Sequence, residues 1–204
     1  NSLIAAKKLT VPLRRSLREF LSEKDVEELE SFIREANELR PRLAAAGVLK
    51  AGKSTMMNCL TGDFENKRFK AGITRETVRE QVHEEEGCLF VDTPGIDAND
   101  QDNKEAEEAL RLADIILFAH NINGGGLDEP ERAFLETIHA NWKDSKEFIS
   151  KSIFVLTHLD KKEDDRDLVE STVGQQVENI FDTRPRVISI SSSRYLKGVP
   201  GNKP

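Results

Sequence analysis

Gly47-Val48-Leu49-Lys50-Ala51-Gly52-Lys53-Ser54 is the stretch on which the reading of this chain turns. It follows the apolar run Leu43 to Leu49 and opens a segment of helical periodicity, Lys53 to Leu60, so a strand hands over to a helix at a glycine-rich turn. Such a turn lets successive backbone N–H groups point inward, and the helix that follows presents the positive end of its dipole to the same place. The spacing G-x-x-x-x-G-K-S is that of a phosphate cradle. Lys53 would reach the β- and γ-phosphates, and the Ser54 hydroxyl would take a place on Mg²⁺. The remaining amides of the cradle come from Gly47, Lys50, Ala51, Gly52 and Thr55.

Downstream, Asp92-Thr93-Pro94-Gly95 directly follows the apolar run Leu89-Phe90-Val91. An aspartate at the carboxyl end of a strand beside a phosphate cradle can hold the metal through water, and Gly95 can offer its N–H to a γ-phosphate. Further apolar runs, Cys88–Val91, Ile115–Ala119, Ile153–Leu156 and Val187–Ile190, read as buried strands. Segments of helical periodicity lie between them: Lys104–Leu112, Pro130–Trp142 and Leu168–Phe181. Alternation at this spacing predicts βαβ units around a mostly parallel sheet, with Thr77–His83 as an antiparallel edge strand. The expected class is α/β, a doubly wound sheet of six strands preceded by an N-terminal helical segment, residues 1–41, with the nucleotide domain over 42–204.

Within that N-terminal segment Val26, Leu29, Ile33 and Ala36 form one apolar stripe. Ser16 with Glu19, and Ser22 with Asp25, are capping-box spacings, which predicts a short helix and then a long one ending at Pro41. The stripe serves either packing on the domain that follows or a partner segment.

Charge bounds the rest. Thirty Lys and Arg against 37 Asp and Glu give a net charge of −7 over 204 residues, which offers no general footprint for nucleic-acid backbones. No stretch approaches the roughly 18 apolar residues a membrane-spanning helix needs. Cys59 and Cys88 lack a CxxC spacing and read as core thiols of a reducing compartment, which makes the expected location cytoplasmic, peripheral to a membrane only through regions outside this chain. His120 and His139 have no partner at metal-ligand spacing, Gly124-Gly125-Gly126-Leu127 reads as a flexible connector, and Trp142 and Phe148 as core or surface anchors.

Together the two phosphate-side motifs resemble those of GTPases of the translation-factor-like (TRAFAC) class, and more narrowly its Era-like and dynamin-like branches, over about Leu43 to Ser193. The resemblance implies a P-loop NTPase of the Ras-like G-domain fold that takes GTP or GDP with Mg²⁺. It also implies a threonine that meets Mg²⁺ and the γ-phosphate; Thr74, in Ala71-Gly72-Ile73-Thr74-Arg75, is the residue in that place, with Thr77 as the alternative. Ser54, Thr74 and Asp92 are then the metal set, and Lys53, Thr74, Gly95 and Lys50 the catalytic set.

Guanine-reading members carry Asn or Thr, Lys, a variable residue and Asp after the fifth strand, where this chain has Thr157-His158-Leu159-Asp160. Asp160 can accept from guanine N1–H and the 2-amino group, a donor pair adenine lacks. His158 departs from the pattern: an imidazole either stacks on the base in place of the lysine stem or is a strand-end histidine of no special role. Ser191 and Ser192, in Ser191-Ser192-Ser193, resemble the last base-contacting motif.

Where relatives place a water-orienting glutamine this chain has Ile96, which predicts slow intrinsic turnover. Lys50 stands where potassium-using relatives hold the ion with asparagine; its ammonium replaces that cation or points into solvent. The expected output is two loops, around 63–77 and 95–103, ordered by the γ-phosphate and reporting to a partner, a second copy across the nucleotide face, or a helical region. An ATP-using enzyme and a nucleotide-holding pseudo-GTPase are the competing readings. The tail after Ser193 is too short and too rich in Gly and Pro for a long closing helix, so either the chain is part of a longer protein or the helix at 22–40 takes the covering role.

Overall fold

The computed structural model describes residues 15–18, 20–27, 29, 40–65, 68–69, 81–96 and 100–198. The chain divides into two compact units, Asn1–Arg40 and Pro41–Pro204. In the first, residues 15–17 and 23–27 are helical. The Ser22 capping box forms there, with Asp25 N–H donating to Ser22 Oγ at 3.2 Å and Ser22 N–H to Asp25 Oδ2 at 3.2 Å. Glu19 of the Ser16 box, and Ile33 and Ala36 of the apolar stripe, lie outside the described residues. No described helix is long and apolar enough to cross a membrane.

The second unit is built on β1 (Arg42–Ala46), β2 (Gln81–Glu85), β3 (Cys88–Asp92), β4 (Ile115–Asn121), β5 (Ser152–Thr157) and β6 (Arg186–Ser189). Its helices are α1 (Lys53–Leu60), α2 (Asp100–Arg111), α3 (Glu129–Asn141), α4 (Ser145–Lys151), α5 (Arg166–Phe181) and α6 (Ser192–Gly198). The sheet order is β2-β3-β1-β4-β5-β6; β2 pairs antiparallel with β3 and all other pairs are parallel. Sheet and helices thus form the doubly wound α/β fold that the sequence predicts.

Period-two alternation divides the core between the sheet's faces. Ile116 and Phe118 of β4, with Phe154 and Leu156 of β5, meet Leu110, Leu135, Phe148 and Phe181; Leu117 and Ala119, with Val155, meet Met56, Met57 and Phe69. Because β1 is flanked by β3 on one side and β4 on the other, the strand order reverses there, and the crevice beyond the carboxyl ends of such strands is where α/β sheets receive ligands.

Some predicted boundaries move. The first strand ends at Ala46 rather than Leu49, since Val48 and Leu49 already belong to the turn. The edge strand runs Gln81–Glu85, while 77–80 lie outside the described residues. Helix α3 starts at Glu129 as expected for a helix with proline in its first turn, and Asp128 and Glu131 form a capping box there, each side chain accepting from the other's backbone N–H at 3.0 Å. Cys59 and Cys88 are half-buried and unbridged rather than core thiols. Trp142 and Phe148 are buried edge to face at 5.5 Å.

Candidate functional site

The turn between β1 and α1 is shaped by backbone that side chains tolerate poorly. Gly47 (φ 142°) and Gly52 (φ 92°) both lie in the positive region, and a β-carbon on Gly47 would sit 2.2 Å from the Ala119 carbonyl oxygen. Lys50 is also left-handed (φ 64°), and both it and Leu49 beside it are exposed. Lys53, though buried, donates its ammonium to Gly47 O at 2.8 Å and Val48 O at 3.0 Å, so its charge already lies inside the loop.

Asp92 closes β3 next to this loop. The Ser54 hydroxyl donates to Asp92 Oδ2 at 2.6 Å, while Oδ1 is buried without a hydrogen-bond partner. Burial raises the carboxyl above its ordinary value, against the Ser54 bond and the Lys53 charge, which lower it. Two hard oxygen donors, one with a spare buried oxygen, fit Mg²⁺. Thr93 anchors the next turn through its N–H and hydroxyl to Ala45 O, and the Ile96 N–H donates to Gly47 O at 3.3 Å. The Ile96 side chain is in the core. Thr74 and Thr77 lie outside the described residues, as do 97–99.

The base-side loops converge from β5 and β6. Thr157 Oγ1 donates its single proton to Ala51 O at 2.7 Å, with His120 O at 3.2 Å, and therefore accepts from His158 Nδ1 at 2.8 Å. That bond fixes the neutral ring as the Nδ1–H tautomer, with Nε2 a bare acceptor. His158 is left-handed (φ 62°); burial and the Lys161 charge lower its pKa, against Asp160. Asp160, in a 3-10 turn over Leu159–Lys161, accepts from Ser191 Oγ at 2.7 Å, which holds its carboxyl below the ordinary range. Leu159 N–H donates to Ile190 O at 3.1 Å, and Arg194 pairs with Glu163, so the two loops are stitched side by side. Ser192 opens α6, and its hydroxyl lowers the pKa of the Cys59 thiol on α1 against burial, which raises it.

One feature escaped the sequence. His120, at the end of β4, is buried with Nδ1 2.8 Å from Glu131 Oε2 and Nε2 3.0 Å from Gly125 O. Both ring nitrogens face oxygens that can accept, an arrangement that favours the imidazolium. Burial alone lowers its pKa, but the Glu131 bond and charge, helped by the Gly125 carbonyl, outweigh it and raise it. The loop over 121–128 is thereby tied down: Leu127 N–H also donates to Gln176 Oε1 at 2.7 Å, and Arg132 donates to Leu127 O. It is a braced turn rather than a flexible connector. His139 instead lies 3.0 Å from Ser145 Oγ and edge-on to Phe181. Among the described residues no group of three or more His, Cys, Asp or Glu could hold a metal.

A sequence model of 50S ribosome-binding GTPases matches residues 42–173, well over half of the chain. The chain belongs to this GTPase family. It is a G domain of the translation-factor-like class. An uncharacterized protein of Acinetobacter baylyi is 29% identical over 168 residues, covering 80% of this chain and 38% of that one. This G domain therefore spans less than half the length of that relative. Among solved structures, Toc33 from Arabidopsis thaliana in complex with GDP and Mg²⁺ superposes with a TM-score of 0.57 at 15% identity, covering 94% of this chain and 82% of that one. LeoA, a bacterial dynamin GTPase from ETEC, gives 0.57 at 16%, covering 96% and 40%. At these identities the two share the fold.

Proposed function

We propose that the domain binds GTP with Mg²⁺ and hydrolyses it slowly, the γ-phosphate holding loops that a partner reads. The observation that carries this is the Ser54–Asp92 pair with its spare buried oxygen, set against a loop whose lysine already points inward. Backbone N–H groups of 47–55 would grip the phosphates, and Lys53 would swing from its two carbonyls to the β- and γ-oxygens. Ser54 and Asp92, joined by Thr74, would hold Mg²⁺, which neutralises charge developing between the phosphates. Gly95 would offer its N–H to the γ-phosphate. Asp160 selects guanine once Ser191 yields one of its contacts, while His158, neutral, lies beside the ring without adding charge.

Calorimetry with GTP, GDP and ATP tests the reading. Heat is expected from both guanine nucleotides with magnesium, at least about a hundredfold weaker binding for ATP, and no heat from Lys53→Ala. Equal affinity for ATP would remove Asp160 as the reader. Binding without phosphate release would leave a nucleotide-holding module.

With Ile96 buried in the core, the side chain after Gly95 cannot orient water, and hydrolysis depends on other groups. Lys50, exposed on the loop, would stand in for a monovalent cation through its ammonium. Single-turnover hydrolysis by the intact chain should run equally in sodium and potassium, and Lys50→Ala should slow it about tenfold in sodium with partial recovery in potassium. Unchanged rates in both salts would end the idea. A rate per molecule that rises with protein concentration would point instead to a second copy across the nucleotide face. The dynamin-like reading, with residues 1–41 as part of a helical region and any membrane contact lying elsewhere, is suggested by the fold shared with LeoA.

A further inference from the structure

Asn58 lies on α1, five residues beyond the lysine of the phosphate loop, and is 1% exposed. Its Nδ2 donates to Phe69 O at 2.8 Å and its Oδ1 accepts from Phe69 N–H at 2.9 Å. A side chain here makes the two bonds that a neighbouring strand would make, which requires donor and acceptor on one short planar group. The Phe69 ring is 1% exposed among Met56, Met57, Leu117 and Val155, with its edge contact to His83 at 6.1 Å.

The turn that connects them is fastened as well. Asp63 N–H donates to Asn58 O at 2.8 Å, Asp63 Oδ2 accepts from Arg68 N–H at 2.6 Å, and the Arg68 guanidinium bridges Thr61 O and Glu85. Apolar packing alone would keep the Phe69 ring buried without a buried amide, whose desolvation cost the two bonds must offset. What the amide adds is a fixed backbone position for residue 69 relative to α1, and so relative to Lys53 and Ser54 on the same helix. Thr74 follows five residues later in the sequence.

We propose that Asn58 is a positioning residue for hydrolysis: by fixing the backbone of residue 69 against α1, it sets the point from which the chain runs to Thr74, without touching nucleotide. The proposal rests on the GTPase reading above. The test compares the intact chain with Asn58→Asp, which keeps the acceptor and sets a carboxylate against the Phe69 carbonyl, and with Phe69→Leu, which trims packing but keeps the backbone bonds. Affinity for a fluorescent GDP analogue and single-turnover GTP hydrolysis are read for each below its melting temperature.

Asn58→Asp should hold GDP within about twofold of wild type while hydrolysis falls about tenfold or more. Phe69→Leu should leave the hydrolysis rate within about twofold even where it lowers the melting temperature as much. If Asn58→Asp does not fold, Asn58→Ser is read in its place. Equal losses of affinity and rate, or an unchanged rate, or the same rate loss in Phe69→Leu, would overturn the proposal alone. Wild-type protein that binds no guanine nucleotide or releases no phosphate would overturn the parent reading and this one with it.

Discussion

Gly47→Val should abolish measurable GDP binding and lower the melting temperature by roughly 10 °C. A β-carbon at this position meets the Ala119 carbonyl oxygen at 2.2 Å, and neither side can retreat. The oxygen belongs to β4, paired with β5 at Ala119–Val155 and with β1 at Ala46–Phe118, so moving it breaks ladders on both sides. Forced overpacking costs about 1–3 kcal/mol and a positive φ in a residue with a β-carbon about 1–2 more. A sum near 3 kcal/mol corresponds to roughly 10 °C in a chain of this length. The same displacement opens the loop whose amides would grip phosphate, so affinity should fall by on the order of a hundredfold or more. A variant that melts like wild type and binds GDP would show that the turn has slack that the carbonyl contact denies it.

Glu131→Leu is the second large effect. It removes the buried carboxylate that bonds His120 and the acceptor for the Asp128 N–H at the start of α3. Removing one partner of a buried pair costs about 3–5 kcal/mol, so a fall of about 10 °C is expected. Adding His120→Phe to it should cost less than the two single losses summed, since no charge is then left behind. The pair also imposes a pH dependence whose sign follows from the raised pKa of His120. Its contribution is complete below the unfolded value of about 6.5 and is lost as pH rises through the raised folded value. Glu131→Gln keeps the shape without the charge, so its stability deficit relative to wild type should be widest near pH 6 and narrow toward alkaline pH. Urea unfolding of both proteins across that range measures it, and a deficit constant with pH would mean that the ring is neutral in the fold.

The phosphate loop was legible because its chemistry is local: eight consecutive residues carry the glycines, the lysine and the serine, and flanking periodicity identifies strand and helix. Asp92, Thr157 and Asp160 were legible through their places at strand ends. Boundaries were less so. Hydrophobicity reports burial rather than pairing, so the run to Leu49 hid the point at which Gly47 leaves the ladder. Helix α4, seven residues long, is too short to show a period. The His120–Glu131 pair was invisible because its members are eleven residues apart in no motif, and they meet only when the end of β4 comes against the first turn of α3. The Asn58–Phe69 clamp likewise joins a helix interior to a loop residue that nothing marks in the sequence.

The strand that delivers the phosphate loop ends in three alanines, Ala44, Ala45 and Ala46, all fully buried. Side chains this small interlock with little, so hydrogen-bonded neighbours on both flanks, rather than the shapes of surrounding residues, determine where the loop begins. A foundation of that kind tolerates wholesale replacement of the cores above and below it. The same fold is accordingly found in Toc33 and LeoA at only 15% and 16% identity.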